Sequence, residues 1–307
     1  MVDYNIKNIR QDFKDHGVFY TPPELALKLK QYVDFEPDEV YDPTCGSGSL
    51  LSVFSDDVKK FGQELNPAQL EEAKNRLINF EGIAGDTLKA PGFVGKKFKC
   101  IVANYPYSVK WEPMNDERFE SAPCLPPPSK ADYAFILHIL HYLDDEGIAV
   151  TLNFPGILYR GQREGKIREW LIRQNYVDKV IAIPPNTFVD TSIATAIIVF
   201  RKHRETTDIY FEDTALKKSR VVSLNEITEN GYNLSVSNYI EPDVIKEIID
   251  PEELQQRARN GFKARLINEI NFDQQVCKIE GWDWKPYVYE LIEILQEVLQ
   301  REEKDER

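Results

Sequence analysis

The stretch "IVANYPYS", Ile101 to Ser108, ends an apolar run on an amide and then alternates aromatic, proline, aromatic. An exocyclic amine conjugated to a ring is a poor nucleophile, because its lone pair is delocalised. Two acceptors holding its protons favour tetrahedral nitrogen and aim that lone pair at an electrophile. The side-chain oxygen of Asn104 and the main-chain carbonyl of Tyr105 suit the task. Pro106 fixes the turn, and the Tyr107 ring can stack on a base extruded from a duplex. Asn and Pro are also ordinary strand-end punctuation, so the reading depends on what converges beside them.

The elements that would position this turn are legible. Short apolar runs recur as "EVYDP", "VKKFGQELN", "GIAGD", "FKCIVANYP", "GIAVTLNFP", "KVIAIPP" and "TAIIVFRK", rich in β-branched residues. Such text suits strands buried on both faces. "PAQLEEAKNRLINF" has helical spacing, and "ADYAFILHILHYL" is apolar almost all round, as a helix covered on two sides would be. Strand and helix alternate, which predicts an α/β fold with a mostly parallel sheet. "SAPCLPPPSK", Ser121 to Lys130, reads as a long loop. After Glu241 the text becomes charged and helical, giving a catalytic domain over 1–240 and a helical tail over 241–307. Ile292, Leu295, Val298 and Leu299 form an apolar stripe on the last helix, suited to its own domain or to a partner helix.

In sheets of this kind ligands bind beyond the carboxyl ends of the strands. After the first strand comes "DPTCGSGSL", where Gly46 and Gly48 allow a tight turn at a helix start and Asp42 adds a carboxylate. Glu64 follows the second strand and suits a ribose diol; Asp86 follows the third and suits an adenine amino group; Asn104 follows the fourth. A pyrophosphate cofactor wants a third loop glycine, where this chain has Leu51, so the dinucleotide reading weakens. S-adenosylmethionine has no phosphate. Its loop needs room for the methionine portion and a carboxylate for its amino group, and the pattern favours it.

With those residues in place, the sequence resembles the amino-methylating DNA methyltransferases, which carry (D/N/S)-P-P-(Y/F) after the fourth strand and a D-P-x-C-G-S-G-type loop after the first. Within them it is most similar to the modification (M) subunits of type I restriction-modification systems. "FYTPPELA", "GQELNP", "GDTL", "PPSKADYAFILHILHYL", "GILYRGQREGKIREWLI", "IPPNTFVDTSIATAIIVFRK" and "ENGYNLSVSNYI" follow that family in order, over about Val18 to Ile240. The order of cofactor segment, loop and "NYPY" matches the gamma class of adenine-N6 enzymes.

The resemblance implies a class I S-adenosylmethionine-dependent methyltransferase fold, with a seven-stranded, mostly parallel sheet and helices on both faces. It implies a site-specific DNA adenine-N6 methyltransferase working on a flipped adenine of double-stranded DNA, with a DNA-specificity subunit and a nuclease subunit as partners. Carried over by residue, Phe19, Tyr20, Thr21, Pro22, Ser47, Gly48, Ser49, Glu64 and Asp86 would hold the cofactor, beside Asp42 and Gly46. Asn104, Tyr105, Pro106 and Tyr107 would hold the adenine, with Phe188 on its other face. Tyr105 departs from the family, which has proline there. "FYTP" starts 18 residues in and the tail is short, so the family's assembly helices are expected to be reduced. Two alternatives stand beside this reading. One is a cofactor-binding subunit impaired through Tyr105; the other is a protein-glutamine methyltransferase, which also uses N-P-P-Y but lacks the "SKADYAF" and "GILYRGQREGK" stretches.

Composition limits the partners. With 51 acids against 38 bases the net charge is −13, unlike a protein that grips DNA alone. The grip is expected from a local basic cluster or another subunit. In "RGQREGKIR", Arg160, Arg163, Lys166 and Arg168 fit phosphate contact or a solvated helix face. No apolar run approaches the roughly 20 residues of a membrane span and no signal peptide opens the chain, so a cytoplasmic location is expected. Cys45, Cys100, Cys124 and Cys277 form no C-x-x-C pair, and His138 and His141 lack a third ligand, so no metal site is expected.

Overall fold

The structure is a computed structural model that describes residues 21–185, 187, 194–242 and 250–305, with side chains to residue 296. Three residues singled out above, Phe19, Tyr20 and Phe188, lie outside the described residues. The chain divides into two units, Met1–Pro242 and Asp243–Arg307.

Each apolar run of the first unit forms a strand. They are β1 Glu39–Asp42, β2 Lys59–Glu64, β3 Phe80–Ala84, β4 Phe98–Ala103, β5 Leu143–Asn153, β6 Val177–Ile183 and β7 Thr195–Arg201. The sheet has nine strands, not the expected seven, in the order β3-β2-β1-β4-β5-β7-β6-β8-β9. The extra pair is an antiparallel hairpin, β8 Ile209–Asp213 and β9 Lys218–Val222, joined to β6 through β8. "IYFED" and "KSRVV" are short and partly exposed, so they lack the continuous apolar text of a doubly covered strand. Strands β1 to β5 pair in parallel, and β7 runs antiparallel between β5 and β6.

Period-two alternation splits the core into two layers. Tyr41, Ile101 and Ala149 face one layer, with α4 Asp132–Tyr142, of which all but His141 are buried. Val40, Cys100, Val102, Ile148 and Val150 face the other, with Leu25 and Leu29 of α1 Pro23–Lys30. The remaining helices of this unit are α2 Pro67–Arg76, α3 Glu117–Glu120, α5 Gln162–Arg173 and α6 Leu224–Glu229. Helix α2 starts where Asn66 caps it, accepting from Ala68 N at 3.0 Å, with Pro67 in the first turn where no amide partner is needed.

A buried polar chain supports the strand ends from below. Arg118, 2% exposed, donates to the carbonyls of Thr87 (2.8 Å) and Leu88 (2.7 Å) and to Asp116. Its hydrogen bond holds the Asp116 carboxyl at about 2. The same guanidinium lies 3.1 Å from His138 Nδ1, and His138 Nε2 lies 3.2 Å from the Tyr41 hydroxyl. A guanidinium only donates, so Nδ1 accepts and the imidazole proton sits on Nε2. His138 is thereby committed to Arg118 and Tyr41.

In the second unit α7 Pro251–Glu280 and α8 Lys285–Asp305 are joined at Gly281, which is left-handed at φ 74°. Ile270 and Gln274 of α7 and Tyr287 and Leu291 of α8 line one small cavity. On α8, Ile292 and Leu295 are exposed, while the Val298 and Leu299 side chains lie outside the described residues. No helix among the described residues is long and apolar enough to cross a membrane.

Burial, then the Arg118 charge, push the His138 pKa well below its ordinary 6.5. A group depressed on folding contributes stability above its unfolded pKa and loses it as pH falls below that value. Acidification below about pH 6.5 is therefore expected to remove up to about 1.4 kcal/mol per pH unit through this group. Denaturant midpoints of wild type and His138→Gln, measured from pH 7.5 to 5, check this. The wild type must lose stability more steeply than the variant.

Candidate functional site

The loop after β1 is built around hydrogen bonds rather than around a helix. Asp42 is buried, and its Oδ1 accepts from Thr44 N at 2.9 Å; burial pushes its carboxyl up to about 7. Gly46, at φ 53°, donates its N–H to Glu64 Oε2 at 2.9 Å, while Glu64 Oε1 accepts from Asn66 N at 2.8 Å. One carboxylate thus ties the end of β2 to the loop after β1. Gly48, at φ 83°, leaves space for α2: a Cβ there would meet Leu77 Cδ1 at 2.6 Å. The loop opens only a three-residue 3₁₀ helix, Leu51–Val53, where the sequence suggested a helix start. The α-helix starts at this site are instead those of α2 and α4, since Asn66 and Gln69 of the one and Ala131 and Phe135 of the other line the cleft.

Beyond β3, Asp86 Oδ1 accepts from Leu88 N at 3.0 Å, in the same turn whose Thr87 and Leu88 carbonyls Arg118 holds. Glu64 and Asp86 then open, with Gly46, Asn104 and Pro106, onto one cleft of about 780 Å³. Its apolar walls include Leu65, Val109, Trp111 and Phe135. Lys89 at the cleft is paired with Glu112 at 3.1 Å. The proline-rich loop closes one side. Trp111 donates its indole N–H to the Pro127 carbonyl at 3.0 Å and its backbone N–H to the Pro128 carbonyl at 3.0 Å.

The Asn104 amide is oriented from both ends. Its Nδ2 donates to Thr21 Oγ1 at 2.8 Å, and its Oδ1 accepts from the Tyr107 hydroxyl at 2.6 Å. Tyr107 is half-buried, edge-on to Tyr105 at 6.2 Å between ring centroids. The Tyr105 side chain is fully buried and stacks on Phe135 at 5.1 Å. No donor is spent on its backbone carbonyl among the described residues. Ser108 closes the turn in the left-handed region, φ 54°, with its N–H on Asp132 Oδ2 at 3.0 Å and Arg160 at 3.3 Å from its hydroxyl.

Other residues singled out in the sequence fall elsewhere. Pro22 caps α1, Ser47 is buried beside the cleft without lining it, and the Ser49 hydroxyl accepts from Arg76 at 3.4 Å, away from the cleft. The basic cluster divides. Arg168 is buried, donating to the carbonyls of Arg160, Ile157 and Tyr232, and Arg160 pairs with Glu164 at 3.3 Å, leaving Arg163 and Lys166 exposed. A solvated face therefore describes only half of it. Sequence reasoning passed over Asn153, at the end of β5, and the buried Arg118 and Asp132. For Asn153 a signal existed: "LNFP" repeats the pattern of "ANYP" one strand over.

Comparison with known proteins identifies the family and the fold. Residues 3–220 match the family model described as N-6 DNA Methylase. The type I restriction enzyme MpnII methylase subunit of Mycoplasma pneumoniae is 35% identical over 301 residues, covering 86% of this chain and 53% of that one. The MjaVII methylase subunit of Methanocaldococcus jannaschii is 27% identical over 331 residues, covering 86% and 56%. The chain spans about half the length of these curated relatives. Among solved structures, the type I restriction-modification methyltransferase subunit from Streptococcus thermophilus superposes with a TM-score of 0.66 at 32% identity, covering 73% of this chain and 59% of that one. A class I S-adenosylmethionine-dependent methyltransferase fold from Listeria monocytogenes superposes at 0.52 and 16% identity, covering 69% and 74%. The fold is thus of class I, with the β8–β9 hairpin added, and the chain belongs to the N-6 DNA methylase family.

Proposed function

We propose that this chain is the catalytic part of a DNA adenine-N6 methyltransferase that uses S-adenosylmethionine. The observation that carries the reading is the meeting of Glu64, Asp86 and Asn104 in one cleft, with the Asn104 amide oriented by Thr21 and Tyr107. The residues fit the cofactor. Two carboxylates are present for hydroxyl and amine donors, and the volume is that of a cofactor pocket. When bound, S-adenosylmethionine supplies an electrophilic methyl group on a sulfonium. Glu64 would hold the ribose hydroxyls, Asp86 the adenine amino group, and the Gly46 loop the methionine portion.

The chain's own contribution to the chemistry is acceptor geometry. Asn104 Oδ1 and the Tyr105 carbonyl accept the two protons of the target amine, which localises the nitrogen lone pair. An amide oxygen has two acceptor sites, so Asn104 can serve the amine beside the Tyr107 hydroxyl or in its place. Pro106 sets the turn and the Tyr107 ring stacks on the flipped base. The impaired-subunit alternative rested on Tyr105, and its ring packs inward while its carbonyl keeps its acceptor sites. Double-stranded DNA is the substrate, read by a separate specificity subunit, as the names of the relatives and the net charge of −13 support. A nuclease subunit of the same system is a further partner of this reading.

Glu64→Ala is expected to weaken S-adenosylmethionine binding by about 1.5–3 kcal/mol, since it removes charged hydrogen bonds and frees Gly46 as well. Calorimetry on the folded variant checks this, and unchanged affinity removes Glu64 from the site. Asn104→Ala is expected to abolish methyl transfer while leaving cofactor affinity nearly unchanged. Tyr107→Ala is expected to lose roughly 1–3 kcal/mol of base capture, with Tyr107→Phe mild, because the ring rather than the hydroxyl supplies the stack. Labelled-methyl transfer and fluorescence of a base analogue at the target position distinguish the two losses.

A further inference from the structure

The Tyr105 hydroxyl donates to Asn153 Oδ1 inside the core, both side chains fully buried. The other end of the Asn153 amide is fully engaged. Its Nδ2 lies 2.9 Å from the Thr151 carbonyl, 2.9 Å from Thr151 Oγ1 and 3.2 Å from the Ala196 carbonyl. Two of those acceptors are carbonyls, so a flipped amide would set oxygen against oxygen; Oδ1 can only face Tyr105. Asn153 ends β5 and Ala196 lies in β7, so the phenol is tied to two strands that carry none of the cleft carboxylates. Phe135, stacked on the same ring at 13° between planes, fixes its remaining freedom.

This arrangement bears on the Tyr105 carbonyl. A proline would restrict φ at this position by its ring. Here φ is left to the chain, and the restriction comes from a buried side chain held at its far end. The next residue, Pro106, restrains the following φ, so the peptide plane carrying the carbonyl is fixed from both sides. We propose that Asn153 is a positioning residue for methyl transfer: through the Tyr105 hydroxyl it aims the backbone carbonyl that takes one proton of the target amine. The proposal rests on the methyltransferase reading of the cleft.

Three measurements test it on the full chain. Tyr105→Phe keeps the ring and removes the donor; Asn153→Leu removes the acceptor. Each is expected to lower single-turnover transfer of labelled methyl to unmethylated genomic DNA, with the specificity subunit present, at least tenfold. Each must leave the S-adenosylmethionine dissociation constant within twofold, and the double variant must be no worse than the poorer single one. In the isolated chain, deuterium exchange over residues 104–109 is expected to accelerate in both variants. Tyr105→Pro, although it installs the family's residue, is expected to fall below wild type, because it strands the Asn153 oxygen. Unchanged transfer and exchange, or a lower melting temperature with neither altered, overturns the proposal by making the pair merely structural. Should Asn153→Leu fail to fold, Tyr105→Phe decides alone. Should the wild type itself transfer no methyl group, the methyltransferase reading fails, and the exchange measurement still decides whether Asn153 holds the turn.

Discussion

Parallel register is the constraint on which the site depends. Lys60 opposes Phe80 across β2 and β3, Asp42 opposes Gly62 across β1 and β2, Tyr41 opposes Ile101 across β1 and β4, and Ala103 opposes Thr151 across β4 and β5. Strands so aligned end together, and the residues that follow them arrive at one edge. A slip of one residue in any pair would exchange its two core faces and turn the next polar group away from the cleft. Burial of both faces prevents such slips, so the two apolar layers are what bring Glu64, Asp86 and Asn104 into one place.

Within that frame the site's polar residues serve both structure and chemistry. Glu64 takes two backbone amides before any ligand is considered, and Asp86 caps its own turn. Their orientation is therefore set by the fold, which lowers the ordering needed on binding. Arg118 does the same from beneath, filling its donors with the carbonyls of the Asp86 turn. Asp132 is the exception: its Oδ1 is buried without a hydrogen-bond partner among the described residues, although its Oδ2 holds Ser108.

How much of this was readable beforehand follows from what each residue does. Strand β3 stands at a sheet edge with no fully buried residue, whereas the central strands announce themselves because burial on two faces demands uninterrupted apolar text. The β8–β9 hairpin does not, since an edge pair needs only alternate apolar residues. Glu64, Asp86 and Asn104 were recoverable as polar residues stopping apolar runs. Gly48 was recognisable as a special glycine, but its neighbour Leu77 is a matter of tertiary packing that spacing does not encode. Arg118 and Arg168 were hidden for the opposite reason. An arginine in a sequence reads as surface, and only the fold shows the carbonyls that let a guanidinium be buried.

The added hairpin also decides what the sheet presents to other molecules. An open sheet ends in unpaired amides and carbonyls, a template on which another extended chain can assemble. In this unit the ends are β3 and β9, and the exposed residues of β9 are Ser219, Arg220 and Val221, with Arg220 bridged to Glu226. A charged, five-residue strand is a poor template. By moving the open end outward from β6 to β9, the hairpin keeps the apolar strand β6 in the interior beside β7, where it cannot seed aggregation between copies.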